Sequence, residues 1–151
     1  MKNTSLFFAA LCAILLFSRA TVNNKPMKKV IKTENAPAPI GPYNQAILTN
    51  GTLYLSGQIA ISPKTGELVT DNIESETRQV MANLQAVLQA AGMDFSHVVK
   101  TSIFLEDMND FAKVNEVYGH SFGEDAPARE TVQVARLPKE VKVEISMIAV
   151  Q

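Results

Sequence analysis

Cysteine is almost absent from this chain of 151 residues, and the single one, Cys12, lies in an apolar run near the N-terminus. The two histidines, His97 and His120, lack the short spacing of a metal site such as HExxH. No P-loop or GxGxxG motif occurs, and Ser56-Gly57-Gln58 lacks the leading glycine of a nucleophile elbow. These absences argue against thiol, serine-triad and nucleotide chemistry, and we expect both histidines at the surface or at helix ends.

The first twenty residues have the layout of a secretory signal peptide. Lys2 gives a short positive region, residues 6–17 form an unbroken apolar run, and Ser18-Arg19-Ala20 offers a small-x-small cleavage site. The run is shorter than the roughly 20 apolar residues that a membrane-spanning helix needs. We therefore predict a periplasmic or secreted protein that has no stable membrane association once the peptide is removed.

The predicted organisation is a signal peptide over residues 1–20, a spacer over residues 21–27 and one domain over residues 28–151. Loss of the peptide would leave 12 basic and 15 acidic residues, a net charge of −3 and no cysteine. The alternative is translation that starts at Met27, which would give a cytoplasmic protein.

Residue patterns predict the element order β-β-β-α-β-α-β-β. Asn50-Gly51 is a strong hairpin signal, because both turn positions need positive φ. Asp107 or Asn109 can cap the second helix, and Gly92 can end the first. Strands are predicted over residues 29–33, 45–49, 52–59, 98–105, 131–135 and 141–150, and helices over residues 72–91 and 107–121.

Strand alternation assigns side chains to the two faces of the predicted sheet. In the last strand, the side chain of Glu144 falls on the face opposite the apolar ones, and Val99 is expected to share a face with Thr101. A tight loop over residues 137–140 would make the last two strands a hairpin, with Gln133 opposite Glu144. Strands grouped around two helices predict an α+β fold, one sheet with both helices on one face, whose open face invites oligomerisation.

Two charged residues occupy positions that strands usually avoid. Arg129 stands at the entrance to a strand, and Glu144 lies within the last one, between two β-branched residues. Such a residue either faces water or is paired in a site.

Four stretches together resemble the Rid (YjgF-like) family of reactive-intermediate deaminases. They are residues 35–43 (NAPAPIGPY), residues 55–59 (LSGQI), residues 100–118 and the PAR, VARLP and VEI motifs within residues 127–145. The resemblance implies a chorismate-mutase-like α+β fold with one mixed sheet. It also implies a homotrimer with a central β-barrel and sites between neighbouring subunits.

The same resemblance implies hydrolysis of 2-iminobutanoate and 2-iminopropanoate to 2-keto acids and ammonia, with no metal and no cofactor. Arg129 matches the arginine that binds the substrate carboxylate, and Glu144 matches the glutamate that activates water. The residues matched to substrate binding are Tyr43, Ser56, Gly57, Asn115 and Thr131. Thr131 stands where many members have cysteine, and Glu130 stands where a small residue is common.

Two other functions stay open at this point. A non-catalytic, small-acid-binding or chaperone-like trimer could use the same clefts, although it would not need Glu144. An endoribonuclease or translation inhibitor would need a basic face. The only basic cluster is Lys25, Lys28, Lys29 and Lys32 in an acidic chain, so no nucleic-acid partner is expected.

Overall fold

The computed structural model describes residues 27–151, so the predicted signal peptide and residues 21–26 of the spacer lie outside the described part. The predicted order of strands and helices is confirmed, and 3-10 turns precede β4, α2 and β6. Among the described residues, no helix is long and apolar enough to cross a membrane. The elements are β1 Lys29–Ile31, β2 Ala46–Thr49, β3 Thr52–Gln58, α1 Ile73–Ala90, β4 Val98–Leu105, α2 Phe111–Gly119, β5 Ala128–Gln133 and β6 Val143–Val150.

The hairpin between β2 and β3 turns where the Asn-Gly pair predicts it. Asn50 has φ 50° and Gly51 has φ 75°, the left-handed conformation that this two-residue turn requires. Thr49 pairs with Thr52 directly across the turn, which sets the register of both strands.

One mixed sheet contains all six strands in the order β1-β2-β3-β6-β4-β5. Only β4 and β5 are parallel, and the other neighbours are antiparallel. Both helices cover the same face, as predicted, because their apolar side chains share one core with the inward residues of the sheet. That core includes Val80, Leu84, Val87, Leu88, Val114, Tyr118, Ile103, Leu105, Ile145 and Met147.

Helix α1 begins and ends within one residue of its predicted bounds, because local chemistry caps it at Asn72 and Ala91. The Asn72 side chain accepts from the backbone N–H of Ser75, whose own side chain completes a capping box. After Ala91, Gly92 takes φ 76°, a conformation that glycine adopts without strain. The helix therefore presents its apolar stripe to the sheet along its whole length.

The predicted hairpin between the last two strands is wrong. β5 lies at the sheet edge parallel to β4, and β6 lies on the other side of β4. The connection between them crosses the end of β4, where Val134 donates to Leu105 O and Glu106 donates to Lys142 O. Gln133 consequently pairs with Leu105 instead of Glu144.

Several element details also differ from the predictions. A bulge between Val98 and Lys100 turns Val99 to solvent, at 48% exposure, so it does not share a face with the buried Thr101. β5 begins and ends earlier than predicted, at Ala128 and Gln133. Of the other strands, β1 ends earlier than predicted, at Ile31, and β6 begins later, at Val143, while β2 begins one residue later and β3 ends one residue earlier. Helix α2 follows a 3-10 turn capped by Asp107 and ends at Gly119.

Candidate active site

A cavity of about 320 Å³ opens at the face of the sheet that the helices leave uncovered. Three of the predicted binding residues, Tyr43, Ser56 and Gly57, line it together with Glu144. The rest of its wall is apolar and consists of Ile40, Ile59 and Pro138. The loop before β2, the bulged end of β3 and the start of β6 therefore bring residues from three distant parts of the sequence to one place.

Glu144 is the acidic group of this cavity and has no hydrogen-bond partner among the described residues. Burial raises the pKa of its carboxyl above the ordinary value of 4.5. A half-buried carboxylate without a paired cation is costly for the fold, and it is well suited to accept a proton from a bound molecule.

Gly57 leaves room for the Glu144 side chain, which packs closely against the backbone of β3. A Cβ atom placed on Gly57 would lie 2.7 Å from Cδ of Glu144 and 3.0 Å from its Cγ. The register of β3 against β6 shifts between Leu55 and Gln58, and this bulge makes the close approach possible.

Tyr43 and Ser56 offer hydrogen bonds of opposite polarity to the cavity. The Ser56 hydroxyl donates to Asn44 O at 2.7 Å, so its lone pairs are what remain for a ligand. The Tyr43 hydroxyl accepts from Ile40 N at 3.2 Å, which leaves its own proton free to donate.

Gln45 holds the proline-rich loop that carries Tyr43, a role that sequence reasoning missed. The side chain is buried and donates to the carbonyls of Thr33, Ala36 and Pro37 at 2.8–3.1 Å. It also accepts from Thr33 N at 2.7 Å. Its place at the strand edge beside a loop with three prolines is the only signal that could have indicated this role.

Arg129 belongs to a second cavity, of about 400 Å³, between α2 and the loop before β5. Its guanidinium donates to Oδ1 of Asn115, another predicted site residue, at 2.6 Å. The rings of Tyr118 and Phe111 lie 5.1 and 5.6 Å from its Cζ, within cation–π range. The Tyr118 hydroxyl donates to Thr101 Oγ1, so this ring is anchored in the core.

Thr131 lines neither cavity, which separates it from the other predicted substrate-binding residues. It lies two residues beyond Arg129 on the same face of β5, and its hydroxyl oxygen is buried with no partner within residues 27–151. Glu130 points to the opposite face and contacts Lys100 and Ser102.

The two cavities lie on opposite faces of the sheet. Arg129 pairs with the core-facing Thr101, whereas Glu144 pairs with Phe104 on the other face. With β4 between their strands, the two residues are roughly 10 Å apart across the sheet and roughly 10 Å along it. The fold of one chain therefore does not bring Arg129 and Glu144 together.

Comparison with known proteins identifies the family. A family model described as Endoribonuclease L-PSP matches residues 33–151. The chain belongs to the Rid (YjgF-like) family. A RutC family protein of Pyrococcus horikoshii is 57% identical over 123 residues, which cover 82% of this chain and 98% of the relative. A Mus musculus protein named 2-iminobutanoate/2-iminopropanoate deaminase is 50% identical over 125 residues, 83% of this chain and 93% of that protein.

Solved structures of Rid proteins share the fold. The Rid family protein YyfA of Yersinia pestis superposes with a TM-score of 0.79 at 50% identity, covering 83% of this chain and 100% of that one. E. coli TdcF, solved with bound serine, gives 0.77 at 44% identity and covers 82% and 98%. The predicted family and the predicted α+β fold of a single chain, with one mixed sheet and two helices, are thus confirmed.

Proposed function

We propose that this Rid protein hydrolyses small 2-imino acids, such as 2-iminobutanoate and 2-iminopropanoate, to 2-keto acids and ammonia. The observation that carries the proposal is the unpaired, half-buried Glu144 in a cavity with an apolar wall. The name of the Mus musculus relative gives the same reaction for that protein.

In the proposed reaction on the protonated imine, Glu144 accepts a proton from a water molecule as the water oxygen bonds to the C=N carbon and the π electron pair moves to nitrogen. Glu144 then returns this proton to the nitrogen of the carbinolamine. The C–N bond breaks as the hydroxyl oxygen forms the C=O bond, and the hydroxyl proton passes to Glu144 and on to the departing ammonia. Ser56 offers an acceptor to an N–H group, and Tyr43 offers a donor. Because an imine is already activated, positioning and one base supply most of the required acceleration.

Arg129 binds the substrate carboxylate in this proposal. A guanidinium presents two parallel N–H groups to a carboxylate, and both bonds are charge-assisted. Asn115 and the two aromatic rings hold the group in place. The bound serine of TdcF shows that this relative accepts a small molecule with a carboxylate.

Since one chain keeps Arg129 and Glu144 apart, we assign them to a site shared by two copies. The edge strand β5 has no outer neighbour within the described sheet, so a second copy can approach Arg129 from that side. A closed homotrimer, with three equivalent sites, meets this requirement. Export of the protein remains a separate proposal that depends on the predicted signal peptide.

A coupled assay tests the function directly. An amino-acid oxidase generates the imine, semicarbazide traps it, and the purified protein competes with the trap. We expect suppression of the semicarbazone signal in proportion to protein concentration. Unchanged signal from a folded protein that still binds small carboxylates would favour the non-catalytic binding function instead, and cleavage of an RNA substrate would favour the ribonuclease.

Replacement Gly57→Ala should reduce kcat by tenfold or more, because the added methyl forces the Glu144 carboxylate from its position. The cost in stability should stay near about 1 kcal/mol, since the displaced group is the end of a flexible side chain. Thermal unfolding of the double variant with Glu144→Ala provides the control, because the methyl group then meets no carboxylate. Equal destabilisation in both backgrounds would show that the contact is not the cause.

The pH dependence of Glu144 should appear in both activity and stability. Because burial raises its pKa, activity that requires the carboxylate is lost as pH falls through that raised value. Stability changes with pH in the opposite direction: the folded state loses stability as pH rises from 4.5 through the raised pKa of Glu144. The Tm of inactive Glu144→Gln should therefore rise relative to that of the wild type over this pH range. A Tm difference between the two proteins that does not change with pH would contradict this assignment to Glu144.

A further inference from the structure

Glu76 is a buried acidic residue in the first turn of α1, and the proposed reaction does not use it. Its side chain is 0% exposed. Oε1 accepts from the backbone N–H groups of Lys142 at 2.7 Å and Val143 at 3.2 Å. Oε2 is buried and has no partner in the described part of the chain. A helix thus holds the start of β6 through one carboxylate oxygen.

The segment that Glu76 holds lies between two residues of the cavity wall, Pro138 and Glu144. Lys142 and Val143 directly precede Glu144, and the turn before them contributes Pro138 to the cavity wall. In that turn, Lys139 and Glu140 have φ of 56° and 58°, a conformation that non-glycine residues seldom adopt. Such a turn keeps its shape only when surrounding contacts hold it.

The desolvated carboxylate at this position is stabilised by its two hydrogen bonds to the start of β6. Burial raises the pKa of Glu76, against the lowering effect of the two backbone hydrogen bonds and of Lys142, and Glu106 adds a further raising effect. An apolar side chain of the same size would avoid the desolvation, although it would leave the buried N–H of Val143 and the partly buried N–H of Lys142 without this acceptor.

We propose that Glu76 is a positioning residue, which fixes the start of β6 so that the Glu144 carboxylate stays in the cavity against Gly57. The expected effect of Glu76 on turnover rests on the proposed function. Its expected effect on the position of Glu144 is independent of any substrate.

Three variants of the full chain separate positioning from a general structural role. Glu76→Met removes the acceptor at similar volume, Glu76→Gln keeps an acceptor oxygen, and Thr77→Val is the matched control. Thr77 is also buried, but its hydroxyl donates only to Ile73 O within α1, at 2.7 Å. We expect about a tenfold loss of kcat in Glu76→Met with KM little changed, and near wild-type kinetics in the other two.

Carbon-13 NMR titration of the Glu144 carboxyl gives a readout that requires no turnover, with Glu144→Gln used to assign the signal. In Glu76→Met the pKa of Glu144 should move down toward its ordinary value, because the carboxyl reaches solvent more freely. The acid limb of the kcat profile should move with it. Glu76→Asp, which withdraws the acceptor by one methylene group, should give the same shift if the methionine variant fails to fold.

The proposal is overturned if folded Glu76→Met or Glu76→Asp leaves the Glu144 titration unchanged, or if Thr77→Val shifts it equally. A wild-type protein that fails to hydrolyse imines would refute the proposed function, and the titration would still decide the role of Glu76.

Discussion

Arg129→Ala is expected to lose kcat/KM on 2-iminopropanoate by a factor on the order of 10²–10⁴, because two charge-assisted hydrogen bonds to the carboxylate disappear. Each such bond contributes about 1.5–3 kcal/mol. The kcat/KM of Arg129→Lys should lie between those of the wild type and Arg129→Ala, since an ammonium keeps the charge but lacks the two parallel N–H donors of a guanidinium.

The fold of Arg129→Ala should be preserved. The guanidinium is partly exposed, and the Tyr118 ring beneath it stays anchored through Thr101. Surface changes of this kind alter the free energy of unfolding by less than about 1 kcal/mol. Thermal unfolding and light scattering check the fold and the oligomeric state.

Arg136→Ala is the matched control for charge. Arg136 lies in the connection that follows β5 and is exposed, and its guanidinium pairs with Glu140 at 2.5 Å, away from both cavities. This variant should keep wild-type kinetics. Full activity in Arg129→Ala, or equal losses in both variants, would remove Arg129 from the site.

Features set by neighbouring residues could be predicted from the sequence. The turn at Asn50-Gly51 and the cap at Asn72 each depend on chemistry within four residues. The alternation of β6 likewise predicts that Glu144 faces away from the core. These elements are local, and their signals do not depend on which strand lies beside them.

The order of the strands could not be predicted in the same way. The nine residues between β5 and β6 suit a tight connection, yet they cross the end of β4. The crossing is fixed by backbone hydrogen bonds of Val134 and Glu106, which do not depend on the side chains and so give no pattern in the sequence. The bulge that exposes Val99 gives no sequence pattern either, because it depends on the register of β4 against β6.

The candidate site shows the same division between local and long-range information. The resemblance identifies the residues, but only the sheet register reveals that Arg129 and Glu144 face opposite sides. Two supporting residues also act through contacts across the fold: Gln45 holds the loop that carries Tyr43, and Tyr118 packs against Arg129. The separation of Arg129 and Glu144 within one chain therefore follows from topology and is not encoded in any motif.

A mixture of two inactive variants gives the most direct test of a shared site. Co-expressed Arg129→Ala and Glu144→Gln subunits, carrying different tags, should recover activity that neither variant has alone. In a ring where each site takes Arg129 from one copy and Glu144 from its neighbour, random assembly of equal amounts leaves about one quarter of the sites intact. Activity measured per subunit on 2-iminopropanoate should therefore approach about one quarter of the wild-type value.

Two controls make this result specific to subunit mixing. Variants purified separately and combined without exchange should stay inactive, and the doubly tagged fraction should contain all the recovered activity. Two-step affinity purification followed by the coupled assay measures both. If the doubly tagged assemblies form and remain inactive, each site must take both residues from one chain. That outcome would require β5 to move relative to β6, because the sheet now places Arg129 and Glu144 on opposite faces.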